Sequence, residues 1–215
     1  MNDPNAIPVP EPRIANFEKL AFGMFIHWGL YSIPAGVWND QEISGYSEQI
    51  KGHAKIKTAE YRKLADLFNP TLWDADSVAV LAKRAGMKSI VITAKHHDGF
   101  AMYHSRVSRY NIVNATPFGR DVLRELAYAC RKHDMKLGIY YSHCLDWHEC
   151  DGADPGPDSP KNFGMSWGNN WDFPSTAEKD FSRYFKDKAL PQVRELLTEY
   201  GPVFLLWFDC PLQIT

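Results

Sequence analysis

No run of about 18 apolar residues occurs in this 215-residue sequence, so no bilayer-crossing helix is expected. An excess of one charge is also missing. The 24 Lys+Arg stand against 26 Asp+Glu, a formal net charge of −2, which leaves no basic footprint for nucleic acid or an anionic membrane. Cysteine is scarce, and Cys130, Cys144, Cys150 and Cys210 follow neither a disulfide framework nor a zinc spacing. Cys144 and Cys150 bracket a short loop and could pair in an oxidising compartment, with free thiols the alternative. No glycine fingerprint opens a helix, which counts against a dinucleotide fold, and no internal repeat or low-complexity tract interrupts the chain. The opening MNDPNAIPVPEPRI lacks a charged segment followed by an apolar one, so no signal peptide is expected in this chain. Localisation stays open between an intracellular protein and one whose leader has been removed.

Aromatic residues are plentiful: 13% of the chain, with 7 Trp and 10 Tyr. That is more than a core of this size needs, and it points to flat ligands or sugars. The length favours one domain with enough chain to bury a core. Residues 1–16, with Pro4, Pro8, Pro10 and Pro12, read as an extended lead-in, and residues 17–215 as the domain. Apolar runs at Phe22–Ile26, Lys88–Thr93, Lys136–Tyr141 and Val203–Phe208 read as parallel strands buried on both faces. Between them, residues 30–57, with Gly36, Gly45 and Gly52 and no clean period, read as a long loop with room for a helical turn. Helices are expected over Thr58–Phe68 with a Thr N-cap, over Asp76–Arg84 with Val78, Leu81, Ala82 and Ala85 inward, and over 119–134. A capping box at Ser175–Glu178 opens a helix reaching Tyr200. The Gly/Pro/Asp/Trp-rich stretch 144–174 is too long for a plain connector.

Alternating strands and helices imply a parallel sheet with right-handed crossovers. His27, the His96–His97 pair, Tyr140 with Tyr141, and Asp209 all fall at C-terminal strand ends. In (β/α) barrels that end is the catalytic face, where residues from several strands converge. The expected fold class is therefore α/β, a TIM-like (β/α) barrel; only about four strands are legible, so a truncated or half barrel is expected.

Asp209 follows Leu205–Phe208 out of an apolar strand, a setting suited to a carboxylate nucleophile; the alternative is a strand-end Asp capping the next turn. His96, His97 and Asp98, with His143, Asp146 and His148 nearby in sequence, invite a metal reading. Strand-end neighbours point in different directions, however, and no ligand at helical spacing completes a site; the alternative is neutral imidazoles bonding sugar hydroxyls. Glu48 by itself reads as an ordinary surface Glu, and His27 fits a core histidine as well as a site. Trp147, Trp167 and Trp171 either pack the long loop down or offer faces to sugar rings.

Taken together, FGMFIHWGLYSIPAGVW at 22–38, GYSEQI at 45–50, AKHHDGFAMYHS at 94–105, RDVLRELAYACRKHDMKLGIYYSHCLDWH at 120–148 and PQVRELLTEYGPVFLLWFD at 191–209 resemble one family. It is that of the α-L-fucosidases of glycoside hydrolase family 29. The resemblance implies a retaining exo-hydrolase acting on terminal α-L-fucose of glycans, with no cofactor and no metal. It implies Asp209 as nucleophile, and His27, Glu48, His96, His97 and Tyr140 as the residues that hold the fucose hydroxyls and the nucleophile. Members of the family are often periplasmic, secreted or lysosomal. Gln49 departs from the family, which often has Trp after the sugar-binding Glu. The family's acid/base lies well downstream of the nucleophile, so it is unassigned among these residues. A half barrel has two open sheet edges, and a homo-oligomer is expected to cover them, with Glu42, Glu149 or Asp151 conceivable as a second carboxylate from another copy.

Overall fold

Four apolar runs, each opening at or just after a glycine, proline or lysine boundary, assemble into one parallel sheet. They are β1 (Gly23–Ile26), β2 (Ser89–Lys95), β3 (Lys136–Tyr141) and β4 (Val203–Phe208), in that spatial order. The computed structural model describes residues 12–152, 161–162, 165–166, 168–174 and 179–210. Gly23 pairs with Ser89, Ile92 with Ile139, and Tyr140 with Trp207, so the strands end nearly level and deliver their terminal residues to one rim. The order never reverses, whereas a doubly wound sheet contains a reversal at its switch point. In a flat sheet the outermost of four strands lie about 14 Å apart. Yet Phe25 on β1 and Trp207 on β4 bring their ring centroids to 5.3 Å, so the sheet curls like a barrel wall.

One face of the sheet carries the main core. Ile90, Ile92, Leu137, Ile139 and Tyr141 pack there with Ala79 and Ala82 of helix α2 (Ala75–Arg84) and Leu123, Leu126 and Cys130 of α3 (Val122–Lys132). Asp74 caps the first of these by accepting from the Asp76 and Ser77 amides, and Asp121 caps the second at Arg124. The last crossover helix, α4 (Leu190–Glu199), follows a helical turn at Phe181–Tyr184 and a π turn at Phe185–Ala189. On the concave face Gly138 lets neighbouring side chains close up, because a Cβ there would stand 2.8 Å from Val91 Cγ2 and 3.0 Å from the Phe204 ring.

Several expectations change. Pro12–Glu18 is a helix (α1), so at least residues 12–16 of the lead-in are not extended, and residues 1–11 lie outside the described residues. The stretch 30–57 holds its helical turn at Ile50–His53, and adds short 3-10 turns and a hairpin of two-residue strands that the loop reading did not include. Thr58 does not cap its own helix. Its amide is bonded by Asp172 of the long loop at 2.6 Å, and after Tyr61 the helix tightens into a 3-10 turn, Arg62–Leu67. Leu81 faces solvent at 62% exposure, and small Ala75, Ala79 and Ala82 fill its intended place because α2 packs closely on α3. β1 and β4 are edge strands rather than strands buried on both faces. The capping box Ser175–Glu178 and Trp167 lie outside the described residues, and the helical run instead opens at Phe181 under an Asp180 cap.

Candidate active site

Strand periodicity puts Tyr140, Trp207 and Asp209 on the concave side of the rim. Tyr140 donates its phenol hydrogen to Asp209 Oδ2 at 3.0 Å. His27, from the end of β1, stands 5.3 Å from the Tyr140 ring and 5.6 Å from the His96 ring, centroid to centroid. His96 lies parallel to Tyr140 at 5.4 Å and against Tyr31 at 5.4 Å. Phe25 and Trp207 form an exposed apolar flank beside His27. Residues from all four strand ends thus share one rim.

Burial sets the protonation states. It depresses His96 well below an ordinary imidazole and His97 to about 3, with neighbouring cations adding to the effect. Both are neutral at physiological pH, donors or acceptors rather than charges. His27 is open to solvent on one side; partial burial lowers its pKa, while Glu48 and Asp209 pull it back up. That coupling puts Glu48, half-buried in the turn Ser47–Gln49, within electrostatic reach of the site. Burial, then Asp209, raises the Tyr140 phenol, which keeps its proton and so donates. Among the described residues, His96 Nδ1 and Gln49 Oε1 are buried without a protein partner, the pattern of a site awaiting a polar ligand.

Sequence reasoning missed Ser142. Its hydroxyl donates to the Leu145 carbonyl at 2.9 Å and lies 2.7 Å from His97 Nδ1. A hydroxyl has one hydrogen, so Nδ1 is the donor and Nε2 carries the lone pair. Its position just past a strand end was the only available signal. Tyr31 and Cys210 were missed too, the latter with Sγ 4.0 Å from His97 Nε2.

The quartet His96, His97, Asp98 and His148 does not converge. Asp98 accepts from the Tyr61 hydroxyl and the Phe100 amide, and His148 stacks on Tyr110 at 3.9 Å. Gly99 is needed beside it: its φ is +80° and a Cβ would fall 2.1 Å from Asp146 Oδ1. Beneath the rim, buried Asp146 bridges Lys95 at 3.3 Å and Lys188 at 2.8 Å, and Lys188 also holds Glu149 at 2.8 Å. Burial alone would raise Asp146, but the two lysines overcome it and hold the carboxyl below the usual range. Asp151 is paired with Arg183. Glu149 and Asp151 are therefore tied into the scaffold. Trp147 is fully buried against Trp171, so these two rings pack the loop down.

Residues 8–215 match the family profile of α-L-fucosidase. The chain is 29% identical over 207 residues to the plasma α-L-fucosidase of Homo sapiens, covering 90% of this chain and 38% of that protein. An α-L-fucosidase from Lactobacillus casei in complex with α-L-fucose product superimposes with a TM-score of 0.91 at 45% identity, over 95% of this chain and 64% of that one. The crystal structure of a Bacteroides thetaiotaomicron α-L-fucosidase superimposes with a TM-score of 0.75 at 35% identity, over 95% of this chain and 42% of that one. The chain thus spans less than two thirds of the length of these proteins.

Proposed function

The chain belongs to the α-L-fucosidase family, and on that premise we propose that it forms the nucleophile half of a retaining exo-α-L-fucosidase site on the first strands of a (β/α) barrel. One observation carries this reading: Asp209, held by the Tyr140 hydroxyl, stands among the rings of His27, His96 and Tyr140 from separate strand ends. Asp209 attacks the anomeric carbon through an oxocarbenium-like transition state, and the glycosidic oxygen departs with a proton from the acid/base, a carboxyl unassigned among these residues. Water then releases fucose from the covalent fucosyl-enzyme with net retention. His27, Glu48, His96, His97 and Tyr140 hold the fucose hydroxyls and the nucleophile, and the neutral imidazoles of His96 and His97 and the protonated Tyr140 phenol suit a polyol. The flank of Phe25 and Trp207 suits the apolar methyl of a 6-deoxy sugar. Ligands are L-fucosylated glycans, and no cofactor takes part.

An aryl α-L-fucoside assay on wild type and Asp209→Ala tests the assignment. Turnover should disappear in the variant; full activity in Asp209→Ala would remove the nucleophile role.

A second reading, a fucose-binding unit without turnover, is favoured by the fixing of Glu149 and Asp151 in ion pairs, which leaves neither poised as a proton donor. Calorimetry showing L-fucose binding while the assay stays flat, even with a very good leaving group, selects it over the first. The edge strands also carry Phe25, Trp207 and Phe208, all exposed, and self-association would cover them. Sedimentation at micromolar concentration tests that homo-oligomer, and a stable monomer refutes it.

A further inference from the structure

The turn after β4 does something the fucose site does not require. Cys210 adopts φ = +53°, a left-handed conformation uncommon outside glycine, asparagine and aspartate. Held there, it presents Sγ 4.0 Å from His97 Nε2. One ligand atom each from His97, Asp209 and Cys210 lies within 4.8 Å of the other two. Nitrogen, carboxylate oxygen and sulfur are the donor set that zinc accepts. The imidazole is already committed: Ser142 takes the Nδ1 hydrogen and fixes the lone pair on Nε2, the buttress that metal-binding histidines normally have. Tyr140 does the same for the carboxylate by donating to Asp209 Oδ2.

We propose that His97, Asp209 and Cys210 form an inhibitory site for a borderline-soft divalent cation, zinc in the first instance. At tetrahedral zinc the three donor atoms stand about 3.3–3.7 Å apart, from bond lengths near 2.0–2.3 Å. Sγ and Nε2 therefore close by roughly half an ångström, and the widest pair by about 1 Å. His97 is fully buried and stays in place, while half-buried Asp209 and Cys210 rotate towards it. Binding forms N–Zn, O–Zn and S–Zn bonds, and the thiol proton passes to solvent, because a coordinated thiol is deprotonated. The fourth position remains for water. The cation is not a cofactor: it occupies the carboxylate oxygen that would attack the sugar, so it shuts the site. The inhibition half of this statement rests on the reading of Asp209 as nucleophile; the binding half does not.

Cobalt titration of the full chain under a phosphine reductant reads the site directly, because a cysteine thiolate on Co²⁺ gives a charge-transfer absorption. We expect one equivalent with that band, displaced by zinc, and loss of the band in Cys210→Ser. Competition with a chromogenic chelator should show zinc affinity falling at least 10-fold in Cys210→Ser and in His97→Gln. Thermal melting checks that each variant folds, and Cys210→Ala, at a half-exposed strand end, serves if His97→Gln does not. Absence of the band in wild type overturns the proposal. So does a band that persists in Cys210→Ser, which would assign the metal to Cys130, Cys144 or Cys150. Where wild type hydrolyses an aryl fucoside, zinc should inhibit competitively and a chelator should restore activity. Where it does not hydrolyse, the cobalt band still decides the binding half, and calorimetry decides the inhibitory half: zinc should abolish L-fucose binding, and unchanged fucose binding at saturating zinc would overturn it.

Discussion

The Tyr140 hydroxyl donates to Asp209 Oδ2 at 3.0 Å, joining the end of β3 to the residue that follows β4. Register explains the meeting. Tyr140 pairs with Trp207, and Asp209 lies two residues further on, on the same side of the strand. A hydrogen bond to a charged acceptor is worth about 1.5–3 kcal/mol. Tyr140→Phe should therefore lower kcat on an aryl α-L-fucoside by about 10- to 100-fold while the melting temperature moves little. Unchanged kcat would show that Asp209 is oriented by something else.

Ser142→Ala should act on the tautomer of His97. Without the hydroxyl, the buried Nδ1–H loses its partner and the Leu145 carbonyl keeps only Lys95 Nζ at 3.2 Å, at a cost of about 1–3 kcal/mol in stability. Ring nitrogen chemical shifts should report His97 as the Nδ1–H form in wild type and as a mixture in the variant. A wild-type spectrum of the Nε2–H form would contradict the geometry.

Stability should fall on acidification below about pH 6.5. Burial first, with cationic neighbours, depresses His97 and His148 to about 3 and His96 well below 6.5. Between pH 6.5 and about 3 the unfolded chain binds protons that these three folded imidazoles refuse, so their contribution is complete above 6.5 and lost below it. Asp98 runs the other way, because burial raises its carboxyl from 3.8 to about 6 and the folded state takes that proton first. Three groups outweigh one, and a net loss on the order of 1 kcal/mol or more per pH unit is expected between pH 6 and 4. Urea midpoints at a series of pH values measure it, and a midpoint that rises towards pH 4 would reverse the assignment.

Asp146→Asn should be costly, by about 3–5 kcal/mol, because it leaves the buried Lys95 ammonium without a carboxylate and Lys188 with Glu149 alone. Chemical denaturation gives the figure directly. Adding Lys188→Met should recover part of the loss, whereas strict additivity of the two changes would deny the coupling.

Much of this was readable from the residues. Lys136–Tyr141 and Val203–Phe208 are apolar runs bounded by charge or by Gly201–Pro202, and the strands fall on those limits. Polar residues after such runs had to gather at one rim, so His27, His96, Tyr140 and Asp209 meet as the strand pattern requires. Thr58–Phe68 was not readable as it is, because its N-terminal partner, Asp172, lies 114 residues away. Nor does apolar spacing distinguish Leu81 from Ala79, since only the approach of α3 decides which fits. Ser142 and Cys210 matter through contacts of 2.7 and 4.0 Å to one imidazole, and no local pattern encodes those.

The main chain of Trp147 ties three distant stretches together. Its amide donates to the His97 carbonyl at 2.7 Å, and its own carbonyl accepts from Lys51 at 2.8 Å and Thr58 at 3.2 Å. Loops from separate crossovers therefore share a single oxygen atom under the rim. Such a joint cannot fray one strand of chain at a time. The upper rim must open as one cooperative unit, its amide hydrogens trading with deuterium together and on a slower clock than the helices outside it.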